Sequence, residues 1–169
     1  MEEAQSFHLI DAAREASLHL AIQNKRGVRL DAVCFHLGID SATSVSGAIG
    51  DYLDRTKGFF WTWQSDYINL KCEGKSNVCI ARNKEFQFHL GGYKQPFGCM
   101  QTPMFPTSTS DIITNQFDEE AFLSKIDMAK HHQFMSPCAD AVCLSAHLTN
   151  TRVLGKGGCG ELRCRRAFR

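Results

Sequence analysis

Phe59-Phe60-Trp61-Thr62-Trp63, followed closely by Tyr67-Ile68-Asn69-Leu70-Lys71-Cys72, is the stretch on which the fold of this 169-residue chain turns. Aromatic and β-branched side chains pack well on a pleated, half-buried surface, so the pattern predicts one strand over 59–63 and another over 67–72. A polar turn from Glu73 to Asn77 follows, and Val78-Cys79-Ile80-Ala81-Arg82 supplies a returning strand. The middle of the chain therefore reads as a β-hairpin.

Upstream of the hairpin the periodicity is helical. Leu9, Ile10, Ala13, Ala16, Leu20 and Ala21 fall near helical spacing and predict a helix over 6–24, with Gly27 available as a stop. A second, short helix is expected over 31–37, where Asp31 can cap the exposed amides and Gly38 can end the segment. Asp40 or Ser41 can cap a third, whose apolar stripe is Ala42, Val45, Ala48, Ile49, Tyr52 and Leu53. Three helices followed by a stranded wing is the element order of a winged helix, and residues 6–92 resemble that fold in pattern.

Downstream, residues 91–116 lack periodicity and carry Pro96, Pro103, Pro106 and a Thr-Ser run, which predicts a linker or ordered loop. From Asp118 to His131 the acidic first turn and the positions of Ala121, Phe122, Ile126 and Ala129 predict a helix. The expected architecture is α+β: a winged-helix-like domain over 1–92, a linker over 93–117, and a helix with a small zinc-ribbon-like module over 118–169.

The zinc expectation comes from two equally spaced cysteine pairs, Cys138 with Cys143 and Cys159 with Cys164. Thiolates in two short loops can share one tetrahedral zinc ion, which would supply folding energy that so short a segment cannot draw from a core. His131, His132 and His147 are alternate ligands, and the spacing of Cys138, Cys143 and His147 is similar to the closing half of a three-cysteine, one-histidine finger. Such a closed site would be structural. Of the eight cysteines, Cys72 and Cys79 flank the expected turn, where they could pair or share a metal with Cys99, and Cys34 lies on an apolar helix face as a small hydrophobe.

A formal charge of +1 excludes a broadly cationic surface, so nucleic-acid binding would need a local patch. The tail provides one in Lys156, Arg163, Arg165, Arg166 and Arg169. The third helix is a poor major-groove reader, because its exposed positions are Thr43, Ser44, Ser46, Gly47, Asp51 and Asp54. Gly155 to Gly160 is similar to the glycine-rich phosphate loop of protein kinases, but the chain lacks the downstream catalytic elements, so no nucleotide cofactor is expected. Nor is there an apolar run long enough for a bilayer, or a signal peptide after Met1-Glu2-Glu3.

Three functions follow from these readings. The first is a non-catalytic intracellular factor, cytoplasmic or nuclear, with a structural zinc clip and a basic patch for DNA or RNA. The second is a protein-binding adaptor or inhibitor subunit docking through the winged-helix-like domain. The third is a small metal-dependent nuclease using His131 and His132, assisted by Asp140 or Glu161.

Overall fold

The computed structural model describes residues 6–21, 31–47, 50–106, 112–150 and 152–154. In chain order its elements are β1 (Ala32–Cys34), α1 (Ser41–Ser46), β2 (Phe60–Trp61), β3 (Asp66–Lys75), β4 (Glu85–Gly91), β5 (Met104–Pro106), β6 (Asn115–Phe117), α2 (Glu119–Leu123), β7 (Gln133–Phe134), α3 (Ala139–Asn150) and β8 (Arg152–Leu154). Short 3-10 turns at Glu15–Leu18, Asp51–Leu53 and Arg55–Lys57 complete the set. The protein is of mixed α+β class.

The central sheet has the order β2-β3-β4-β7, antiparallel except where β7 joins β4 in parallel. Phe86, Phe88 and Leu90 of β4 alternate onto one face and are buried there, as the period of two in a strand requires. Against that face lies α3, whose Ala141, Leu144, Ser145 and Leu148 recur at helical spacing and are buried. Phe122 of α2, Met128 and the thiols of Cys72, Cys79 and Cys99 close the same core. A second cluster forms from Leu53, Phe60 and Tyr67, with Phe7 and Ile39 packed on it.

The β3–β4 register slips between Ile68 and Leu70. An extra residue in one strand bends it and re-aims its side chain. Here Asn69 is turned toward the segment before α1, where its Oδ1 accepts from the Ile39 amide at 3.1 Å. Its carboxamide occupies the space a Cβ would need at Gly38, whose φ of +107° already favours glycine.

Two smaller antiparallel pairs sit outside the central sheet. β1 pairs with β5, extended by a bridge between Leu37 and Gln101, and β6 pairs with β8.

The winged-helix expectation is corrected by these elements. In place of a helix over 6–24, the described part of that segment carries a four-residue 3-10 turn, and the segment expected as the second helix is extended in β1. The third helix is reduced to the six residues of α1, capped by Asp40 as expected, followed by separate 3-10 turns. The hairpin is present, but its returning strand is β4 at 85–91, while residues 78–82 lie in the turn. Residues 104–106 and 115–117, within the expected linker, are strands, and the helix expected over 118–131 is confined to α2. No zinc ribbon is found among the described residues: Ala139–Asn150, which carries Cys143 of the first expected cysteine pair, is a helix.

Candidate functional site

The groups best placed for chemistry lie at the end of the sheet where β2 turns into β3 and where β4 runs into the 92–99 loop. Residues 62–65 close the β2–β3 turn, with Ser65 at φ +51° and the Gln64 amide donating to the Trp61 carbonyl at 3.3 Å. This tight turn separates two tryptophans by environment. Trp61 is buried against Gly91, whose lack of a side chain makes room for the indole. Trp63 projects outward with 64% of its surface exposed, its ring centroid 6.3 Å from that of Trp61. An indole left in water beside a buried one is a ready platform for a flat or apolar ligand.

Asp66 holds this end together. Its carboxylate is buried and accepts from the Tyr67 amide at 2.7 Å and from the Tyr93 amide. Burial pushes its carboxyl pKa above the usual range, because a charge in low dielectric is disfavoured; the two amides, the Lys94 charge and the nearby Ser44 hydroxyl oppose the shift. Asp66 thus ties β3 to the loop after β4, and faces α1 through Ser44. The exposed Lys94 ammonium lies 5.5 Å from the Tyr93 ring centroid, on the outer side of the same loop. Tyr67 braces the region from within, its hydroxyl donating to the carbonyls of Leu53 at 3.1 Å and Gly47 at 3.3 Å.

Cys99 closes the loop. Its amide donates to the Gly92 carbonyl at 2.9 Å, and its thiol is buried, which raises its pKa by disfavouring the thiolate. The fully buried Ser145 hydroxyl of α3 lies close enough to favour the thiolate, against the nearby Cys138 and Asp66.

A separate polar cluster occupies the opposite face of β3 and β4. The buried His89 ring meets the Glu73 carboxylate at 2.7 Å, and Lys71, directly across from His89, approaches the same carboxylate at 3.7 Å. Such cross-strand pairs stabilise the sheet. The β2–β3 end of the sheet therefore carries an exposed indole and an exposed ammonium as well as a buried carboxylate and a buried thiol, and among the described residues there it assembles no set of nucleophile, base and oxyanion donors.

The residues singled out from sequence do not gather there as a group. Cys138 is half-buried at the start of α3, Cys143 is exposed one turn on, and Cys159 and Cys164 lie outside the described residues. His131 stacks on Phe134 and stands 4.0 Å from Asp140, while His132 lines a shallow depression with Arg82, Asn83, Glu85, Gln87 and Gln133. His147 is half-buried in the last turns of α3. Among the described residues no three His, Cys, Asp or Glu side chains form a metal-holding group, which corrects the zinc reading there. Lys156, Arg163, Arg165, Arg166 and Arg169, the expected phosphate contacts, lie outside the described residues, as does Glu161. Of the residues that do converge, Trp61 and Trp63 belong to the aromatic run that marks a strand in the sequence, but Asp66 and Cys99 carry no motif; their neighbours come from 44, 93, 138 and 145.

Among the described residues no helix is long and apolar enough to cross a membrane. No curated protein and no solved structure matches the chain. The MbnP family model matches residues 1–140. That match spans all the strands of the central sheet together with Asp66 and Cys99, and with the elements described above and the lack of a metal-holding group it overturns the winged-helix, zinc-bearing description among the described residues. With most of its length so matched, the chain belongs to the MbnP family.

Proposed function

We propose that this protein is a binding protein in methanobactin-linked copper handling, working outside the cytoplasm. Membership of MbnP, a methanobactin-associated family, is the observation that carries this reading. Copper enters it as cargo. The donor set does not fit a resident chelating centre, because the described His, Cys, Asp and Glu side chains do not converge in threes.

The binding surface in this proposal is the exposed Trp63 indole with Tyr93 and Lys94. Trp63 offers a flat apolar face whose ordering costs little, since its turn is already fixed. Lys94 adds a positive charge at the rim, suited to an anionic ligand. Asp66 and Trp61 lie beneath and keep the surface in one shape, so their part is to position and not to touch the ligand.

The test is a fluorescence titration of the purified chain with copper-loaded methanobactin, with metal-free methanobactin and free copper as separate arms. Quenching of tryptophan emission that saturates with the loaded compound, and weakens at least tenfold in Trp63→Ala, is the expected result. A hot-spot indole contributes on the order of 2 kcal/mol or more, which sets that scale. Equal response in the parent and Trp63→Ala would remove this surface. Export is checked by fractionating cells that express the full-length gene product.

A further inference from the structure

Gly92 brings two distant cysteines to one place. Its carbonyl accepts from the Cys99 amide at 2.9 Å, and a Cβ at Gly92 would stand 3.0 Å from the Pro137 side chain. Cys99 and Pro137 therefore pack on the same glycine, and the residue after Pro137 is Cys138. Cys99 is buried in the main core, and Cys138 packs against that same core from its edge. The electrostatic influence of Cys138 on the Cys99 thiol agrees with this nearness. Both are free thiols in the structure.

The other described cysteines are placed differently: Cys72 is buried within β3, opposite Phe88 of β4. Cys79 donates its thiol proton to the Glu85 carbonyl at 3.1 Å, and Cys34 and Cys143 are exposed. From the Gly92 packing we infer that Cys99 and Cys138 are the sites of a disulfide that fastens the 92–99 loop to the start of α3. The inference rests in part on the proposed location outside the cytoplasm, where such bonds form and persist.

Access dictates the order of the steps. Cys138 is half-exposed and Cys99 is not, so Cys138 meets the oxidant first. The oxidant is a protein disulfide of the thiol–disulfide oxidoreductase class. The Cys138 thiolate attacks one of its sulfurs, the S–S bond of the oxidant breaks, and a mixed disulfide forms with one oxidant thiolate leaving. Cys99 then loses its proton and attacks the Cys138 sulfur, expelling the second oxidant thiolate. Two thiols have lost two electrons and two protons, and the oxidant has become a dithiol.

The purified full chain, equilibrated in glutathione buffers from reducing to oxidising, is alkylated and mapped by peptide mass spectrometry. The expected product is one linked peptide joining Cys99 to Cys138, two hydrogens lighter than the separate thiols and absent under reductant. Closing a loop of roughly 40 residues should raise the unfolding midpoint by about 10 °C over the reduced form, a gain missing from Cys99→Ser and Cys138→Ser and retained in Cys143→Ser. Alkylation of both thiols in the folded chain at the most oxidising step, or a link from Cys138 to any other cysteine, would overturn the inference. The mapping does not depend on cellular location. A bond that forms in vitro but is found reduced in cells would support the pairing and overturn the proposed location instead.

Discussion

Asp66 accepts two amides while buried, so its protonation state is a stability term with a definite sign. Its folded pKa lies above the unfolded value of about 3.9, so the folded chain holds that proton more tightly than the unfolded one. Its contribution is therefore greatest below pH 4 and is lost as pH rises through the folded value. Asp66→Asn keeps an oxygen for the Tyr67 and Tyr93 amides without the buried charge; its unfolding midpoint at pH 7 should equal or exceed that of the parent, with a flatter profile above pH 4. Asp66→Ala leaves two buried donors unmet, each at about 1–3 kcal/mol, and the midpoint should drop at every pH. A parallel drop in both variants in a thermal scan would show that the charge itself is needed. Asp40 behaves in the opposite sense. The Thr43 amide, at 2.9 Å, and the Thr43 hydroxyl, at 2.8 Å, hold its carboxyl below the usual range, so its stabilisation is present above the unfolded pKa and lost as pH falls through the folded one. Asp40→Ala should cost about 1 kcal/mol at pH 7, a cost that shrinks as pH falls below the unfolded value of about 3.9, measured by urea titration on either side of it.

At the scale of elements, the β2–β3–β4 ladder depends on glycine at one close approach. A Cβ at Gly91 would collide with the Tyr67 carbonyl and stand 2.9 Å from the Trp61 ring, and the Tyr67 carbonyl belongs to backbone that cannot swing aside. Gly91→Ala should lower stability by about 1–3 kcal/mol in urea and shift the Trp61 emission, whereas Gly58→Ala, with open space around it but φ +78°, should cost no more than about 1 kcal/mol and leave emission unchanged. The ladder was only half legible in the sequence. The aromatic run at 59–63 and the strand after Asp66 stand out by composition, and Asp40 announces a helix start. The partner strand was legible too, in the strict alternation of Phe86, Phe88 and Leu90, but Val78 to Ala81 carries the stronger β-propensity and drew the assignment. Propensity there lost to pairing: in the turn Val78 and Ile80 are left exposed while Cys79 enters the core. In α3 the spacing of Ala141, Leu144, Ser145 and Leu148 marks a helix, yet the cysteines at 138 and 143 suggested a metal clip. The Asp66–Cys99 site was not legible at all, since its neighbours are set by tertiary packing and not by spacing.

The distribution of buried side chains across the molecule predicts where it opens first. Described residues of 6–21 contribute only the partly buried Phe7 to a core, through the smaller cluster of Leu53, Phe60 and Tyr67. β4, by contrast, is flanked by β3 and β7, covered by α3, and buries Phe86, Phe88 and Leu90. Amides that exchange only on global opening should therefore lie in β3 and β4, while those near the 3-10 turn at Glu15–Leu18 exchange through local fraying. Native-state hydrogen exchange should show protection in β4 exceeding that turn by roughly a thousandfold or more, given the usual span of global stabilities. The loop from Gly92 to Cys99 is the informative intermediate case, because its Tyr93 amide is held by Asp66 and its Cys99 amide by the Gly92 carbonyl. In the reduced chain that loop should open by itself, with protection well below that of β4; once Cys99 and Cys138 are joined it should open only with α3, and the gap should close. Equal loop protection in the two redox states would mean that the sheet end is rigid without the bond, and that the Trp63 surface is set in place by Asp66 and Trp61 alone.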